Sequence, residues 1–193
     1  MRIFGIDPGS IRTGYGCVDS DGRRSRLVLC GALATPAKSD LPARLSFIYD
    51  GLTRLIRESA PSCVVIENLF HARNVRSALV LGHARGVAVL AAVQAGLPVL
   101  EYTPAEIKLA VVGYGRAEKS QMQEMVKLLL GLDTVPSPHD ASDALAVAIC
   151  HAHAAGPVGA APGRSATPAA RQPKSETSWR HVTLSQIARR QAP

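Results

Sequence analysis

Two short apolar runs, each closed by an acid, limit what this chain can fold into. Arg2-Ile3-Phe4-Gly5-Ile6 ends on Asp7, and Cys63-Val64-Val65-Ile66 ends on Glu67. Runs of four to eight residues, rich in β-branched and aromatic side chains, read as buried strands. Asp7 has a local alternative, because Ile-Asp-Pro-Gly also suits a turn. Glu67 has none, since a carboxylate directly after a wholly apolar strand is neither a cap nor a solvated helix face.

The segments between these runs set the element order. Asp21-Gly22 is a hairpin signal between strands expected over 14–19 and 26–34, so three antiparallel strands open the chain. Leu41, Leu45, Ile48, Leu52, Leu55 and Ile56 repeat at helical spacing over 40–59, and Pro61 ends that helix. A loop over 69–74 leads to a second helix reaching Gln94, with Gly96 after it. A buried strand over 98–102 follows. Thr103-Pro104-Ala105-Glu106 has the form of a helix start, with Thr as N-cap, Pro in the first turn and Glu closing a capping box. Helices over 119–130 and 139–153 complete the order βββαβαβααα. A hairpin sheet extended by βαβ crossovers predicts an α/β fold: a five-stranded mixed sheet, three antiparallel strands extended by parallel ones, with helices on both faces.

Composition draws the outer limits. At 193 residues and 47% hydrophobic, the chain can bury a core without cross-links. Its four cysteines are scattered without C-x-x-C spacing, read as buried free thiols, and point to a reducing cytosol. The amino-terminal apolar run is too short for a signal peptide, and no stretch is expected to span a membrane. The net charge is +7, but residues 157–193 carry six Arg/Lys against the single acid Glu176. This Pro/Ala-rich basic end is expected to be a flexible tail behind a domain over 1–156, with Trp179–Arg190 a candidate partner-bound helix. The domain itself is at +2, too little to mark a nucleic-acid binder by charge alone. Four of its acids are candidate metal ligands, however, and two bound Mg²⁺ would make that surface basic.

Those acids are Asp7, Glu67, Asp140 and Asp143. Sites in α/β sheets form at the carboxyl ends of strands. Adjacent strands lie about 4.8 Å apart, so Asp7 and Glu67 meet if their strands pair. Asp140 and Asp143 are three apart at a helix start and share one face, with Ala141, Ala144, Leu145, Ala146 and Val147 around them. Asp140 taken singly also suits an N-cap. Clustered carboxylates repel one another unless protonated or bridged by a cation, and oxygen-only donors select Mg²⁺ or Mn²⁺. Two such ions about 3.5–4 Å apart serve phosphodiester hydrolysis, with Asp7 between them, Glu67 on one side and the aspartate pair on the other.

Several motifs together resemble a known family. They are Gly5-Ile6-Asp7-Pro8-Gly9-Ser10 with Thr13-Gly14-Tyr15-Gly16, Ile66-Glu67-Asn68-Leu69-Phe70, Gly82-His83-Ala84-Arg85-Gly86, the run from Val111 to Lys119, and Asp140-Ala141-Ser142-Asp143-Ala144-Leu145-Ala146. In unbroken order over residues 1–154, the chain resembles RuvC, the bacterial Holliday junction resolvases. The resemblance implies an RNase H-like fold, a homodimer, and paired symmetric nicks across a four-way DNA junction in recombination and repair. It further implies action with the RuvA and RuvB branch-migration proteins, and Asp7, Glu67, Asp140 and Asp143 as metal-binding catalytic carboxylates. It does not extend to the tail.

Physical arguments run alongside it. Two symmetric cuts need two sites related by a two-fold axis, and residues 78–93 are apolar nearly all round, which suits a partner helix or a deeply buried one. Phe70 lies in a basic loop with Arg73, Asn74 and Arg76. Exposed, it would stack on an unpaired base; buried, it would belong to the core. Lys108, Arg116 and Lys119 flank the glycine loop 113–115 and are candidate phosphate ligands. His139 reads as a helix-start residue, and Cys150-His151-x-His153 lacks the fourth ligand of a zinc site. An RNase H-like nuclease cutting RNA–DNA hybrids and a non-catalytic junction-binding protein stand as alternatives. An actin-like ATPase needs a second phosphate loop and a longer chain.

Overall fold

The computed structural model describes residues 1–68 and 74–156. Phe70, Arg73 and the segment 157–193, including the candidate helix at its end, lie outside the described residues.

Among the described residues five strands and five helices follow the expected order. They are β1 (Arg2–Asp7), β2 (Arg12–Ser20), β3 (Ser25–Ala34), α1 (Leu41–Ser59), β4 (Cys63–Glu67), α2 (Val75–Gln94), β5 (Val99–Tyr102), α3 (Pro104–Val112), α4 (Lys119–Leu130) and α5 (His139–Ala154). The sheet runs β3-β2-β1-β4-β5. β1 pairs antiparallel with β2 and parallel with β4, and β5 joins parallel to β4. The mixed five-stranded sheet is therefore as expected. β2 begins at Arg12, two residues before the predicted start, because its pairing with β3 continues to Arg12↔Ala34.

Strand periodicity divides the core in two. Ile3 of β1 and Cys63 and Val65 of β4 pack under α3, α4 and α5, whereas Phe4, Ile6, Val64 and Ile66 pack under α1 and α2. Side chains two apart share a face, so Asp7 and Glu67 fall on the face covered by α5. That helix is almost wholly buried, with Ala141, Ala144, Leu145, Ala146, Val147, Ala148 and Ile149 in the core. Small side chains let it lie close to the sheet, and glycines on the strands complete the fit. A Cβ at Gly5 would sit 2.1 Å from the Ala144 carbonyl oxygen, and one at Gly14 would sit 2.0 Å from that of Asp140.

The helix ends carry the chemistry read from the sequence. Asp40 caps α1 by accepting from the Ala43 N–H at 3.0 Å, and Thr103 and Glu106 form the reciprocal box that starts α3. Caps of this kind each contribute about 1 kcal/mol. Asp140 is not the N-cap of α5; Pro138 occupies that position and Asp140 lies in the first turn. Of the cysteines, Cys17, Cys63 and Cys150 are buried, Cys30 is partly buried, and all four are free thiols.

α2 departs from one expectation: by length and composition it is apolar enough to cross a membrane. Its Ala84, Ala88, Ala91 and Ala92 nevertheless pack into the core beneath the sheet, and its Arg85 pairs with Glu101 of β5. The opposite face, Val75, Leu79, Leu90 and Val93, is exposed. The deeply buried alternative for this helix is therefore set aside.

Candidate active site

β1 and β4 run in parallel register, Ile6↔Ile66, so Asp7 and Glu67 follow side by side at the ends of adjacent strands. On the other side Asp7 is the register partner of Gly14 in β2. Because Gly14 has no side chain, the first turn of α5 rests on it, and Asp140 and Asp143 come down beside the strand ends. A 2.7 Å hydrogen bond from Thr13 Oγ1 to the Gly9 carbonyl pins the turn that follows Asp7.

The electrostatics are those of crowded, partly buried acids. Burial, followed by repulsion from Glu67, Asp143 and Asp140, pushes the Asp7 carboxyl up to about 8. Glu67 is raised by burial and by Asp143, and a hydrogen bond with Asp7 offsets part of this. Crowding and burial thus favour the protonated form of both acids over what either would hold in water. The helix aspartates hold cations instead: Lys119 Nζ donates to Asp143 Oδ2 at 2.7 Å, and Arg12 lies 3.5 Å from Asp140 Oδ2. Hydrogen bonding to Asp143 raises the Lys119 ammonium above its ordinary value.

A cleft of about 250 Å³ opens on this cluster, lined by Glu67, Lys108, Lys119 and Asp143 among polar residues and by Pro104, Ile107, Met122 and Ala146. A larger cavity of about 520 Å³ lies between α1 and the end of α2; it contains no acid and is remote from the carboxylates. Chemistry locates the site in the smaller one.

The remaining candidates divide. Lys108 and Lys119 enter the cleft. Arg116 and Arg76 are exposed and are not part of its lining. Asn74 caps α2, its side-chain oxygen accepting from the Ser77 N–H at 2.9 Å. His139 opens α5, its Nδ1 2.6 Å from Gln123 Nε2. The side chains of Cys150, His151 and His153 go to three different partners: the Glu106 carbonyl, Tyr102 Oη and the Ala110 carbonyl. Sequence reasoning missed Arg12. Its only signal was a position two residues before Gly14, which means nothing until α5 is known to rest there.

The donor set suits a hard cation. All four acids offer oxygen, two are raised by burial and then by the charge of neighbouring acids, which a cation would relieve, and none is locked in a carboxylate-to-backbone cap. Among the described residues no three acidic, histidine or cysteine side chains converge closely enough to clasp one ion as they stand. Asp140 and Asp143 are turned to Arg12 and Lys119 instead, each through Oδ2, so a bound ion would compete with these partners.

A five-stranded mixed sheet in this order, with acids at its strand ends under a covering helix, defines the RNase H-like class. Comparison narrows the class. Residues 3–151 match the family described as Crossover junction endodeoxyribonuclease RuvC, and the chain belongs to that family. The RuvC of Chloroflexus aggregans is 56% identical over 155 residues, covering 80% of this chain and 94% of that one. The structure of Thermus thermophilus RuvC superposes with a TM-score of 0.74 at 34% identity, over 80% of this chain and 95% of that one. That of T. thermophilus RuvC in complex with Holliday junction substrate superposes equally well, TM-score 0.74, at 31% identity and the same coverage.

Proposed function

We infer that this chain is an endonuclease that resolves four-way DNA junctions by paired symmetric nicks, and that Asp7, Glu67, Asp140 and Asp143 are its catalytic carboxylates. The observation that carries the assignment of these residues is the strand register. Asp7 and Glu67 stand side by side on the one sheet face that α5 covers, and α5 brings its two aspartates to the same edge. The reaction class and substrate follow the family and its junction-bound relative.

The four acids would hold Mg²⁺, two ions per site, with Mn²⁺ as a substitute, since oxygen-only ligands favour these ions. Bound there, the ions supply an activated water and charge stabilisation for the leaving oxygen. The chain's own residues do the rest. The floor of β1 and β4 fixes the positions of Asp7 and Glu67. Lys108 and Lys119 set positive charge along the cleft where a phosphate enters. Phe70, Arg73, Asn74, Arg76 and Arg116 make the wider DNA-binding surface, with Phe70 stacking on a base at the crossover. Phe70→Ala is expected to lose junction cleavage and keep metal binding.

The working form is a homodimer joined along α2. On that helix Val75, Leu79, Gly82, Gly86, Leu90 and Val93 fall on one face at successive helical turns. The four large members are exposed, and a Cβ at either glycine would meet nothing. A second copy of the same ridge can approach closely along it, which relates the two sites by the two-fold axis that a junction demands. RuvA and RuvB are the partners proposed for the assembly. The domain ends near residue 156, the basic segment 157–193 is an appendage to it, and free cysteines fit a cytoplasmic setting.

The test is cleavage of a synthetic four-way junction by wild type and by Asp7→Asn, with Mg²⁺ or EDTA, against linear duplex and RNA–DNA hybrid. Symmetric nicks on the junction alone, lost in EDTA and in Asp7→Asn while junction binding persists, are expected. Preferential cutting of the hybrid would keep the fold and change the substrate. Binding without cutting in either Mg²⁺ or Mn²⁺ would leave an architectural protein.

A further inference from the structure

We propose that Arg12 is a substrate-binding residue that changes partners: it holds Asp140 while no divalent cation is bound, and moves onto a DNA phosphate when a cation takes that aspartate. The proposal rests on the resolvase reading above and adds a residue to its site.

Backbone and side chain of Arg12 differ in how firmly they are held. The backbone is fixed. Arg12 pairs with Ala34 at the end of the β2–β3 ladder, the Thr35 N–H donates to the Ile11 carbonyl at 2.9 Å, and Gly9 comes so near that a Cβ there would lie 2.1 Å from the Arg12 carbonyl oxygen. The side chain is loose: it is 52% exposed, and its contact to Asp140 is 3.5 Å long. Charge-assisted hydrogen bonds to carboxylate run about 2.7–2.9 Å. The Lys119–Asp143 bond reaches that length; the Arg12–Asp140 pair does not. Exposed pairs of this kind contribute little and exchange readily.

The pair also stands where exchange has a consequence. Asp140 is an acid that the cations would claim, and it cannot serve both them and Arg12 with the same oxygens. Once released, a guanidinium at the edge of the cluster faces an incoming strand of phosphates, whose oxygens it matches in a two-pronged geometry that an ammonium lacks. Lys108 and Lys119 reach the site from α3 and α4. Arg12 reaches it from β2, so the cut strand would be held from both sides.

The experiment compares wild type, Arg12→Gln and Arg12→Lys in two assays. Mn²⁺ binding to the DNA-free protein is followed by electron paramagnetic resonance. Single-turnover junction cleavage in Mg²⁺, at increasing protein and several salt concentrations, yields the half-saturating concentration and its salt dependence. Removing a competing cation should tighten Mn²⁺ binding by roughly two- to fivefold in Arg12→Gln. Losing one phosphate contact should make the salt slope shallower by about one, with Arg12→Lys restoring it. An unchanged slope, whatever the Mn²⁺ affinity, overturns the proposal. Weaker Mn²⁺ binding together with a lower melting temperature also overturns it, because Arg12 would then merely brace α5. If wild type cuts no junction, the resolvase reading has failed, and the Mn²⁺ assay still decides whether Arg12 and a cation compete for Asp140.

Discussion

Lys119 Nζ bonds Asp143 Oδ2 at 2.7 Å, so a cation from α4 already sits on an acid that lines the cleft. Its charge also lowers the cost of ionising Asp7 and Glu67. Under the proposed function, the same lysine would pass from the carboxylates to a phosphate when substrate enters.

Lys119→Met is accordingly expected to separate activity from stability. The lysine side chain is 60% exposed, and such a pair contributes no more than about 1 kcal/mol to folding. A positive group aimed at charge developing in the transition state contributes far more, so the single-turnover rate should fall about 10²-fold. Rapid-quench cleavage and thermal melts check the two halves. A large loss of stability with a proportionate loss of rate would make Lys119 structural.

Asp7 makes the metal-free protein sensitive to pH. Its folded value, about 8, lies above its ordinary 3.8. Stability tied to its proton is complete below about pH 4 and is lost as pH rises through 8. Calorimetry in EDTA between pH 5 and 9 should show melting temperature falling with pH, at no more than about 1.4 kcal/mol per pH unit from this group. Asp7→Asn should flatten the fall and Mg²⁺ should offset it. A wild-type profile parallel to that of Asp7→Asn would mean Asp7 ionises normally.

Gly14→Ala tests the seat of α5. The added Cβ meets the Asp140 carbonyl oxygen at 2.0 Å, and a backbone atom can yield only if the helix moves. Overpacking of this kind costs about 1–3 kcal/mol, and the shift displaces Asp140. Cleavage should drop more than junction binding, with Mn²⁺ affinity reduced. Wild-type metal affinity in a folded Gly14→Ala protein would separate the seat from the site.

Leu90→Glu tests the ridge on α2. Leu90 is 47% exposed in the single chain, so a glutamate there costs the monomer little but would put two like charges into the proposed two-fold interface. Sedimentation at micromolar concentration should give monomers, and junctions should be nicked on one strand at a time if cut at all. Dimers that persist in this variant would move the interface elsewhere.

Much of this was legible in the sequence because it depends on local spacing. Apolar runs closed by Asp7 and Glu67 marked the strands and put an acid at the carboxyl end of each, and Thr103-x-x-Glu106 announced α3. Asp140 and Asp143 were legible as a pair because three residues make most of a helical turn. The exposed ridge of α2 was visible as an excess of apolar residues that one sheet face could not cover.

Tertiary structure decided which partners those residues meet. No spacing says that Gly14 lies under Asp140, 126 positions away, or that Lys119 and Arg12 divide the two helix aspartates between them. The brace in which Glu101 joins Asn68 to Arg85 is equally silent in the sequence. Periodicity is a property of neighbours along the chain and fixes which face a side chain occupies. Contact across layers depends on how closely α5 can approach the sheet, and that distance is set by the absence of side chains at Gly5 and Gly14, a fact that acquires meaning only once the chain has folded.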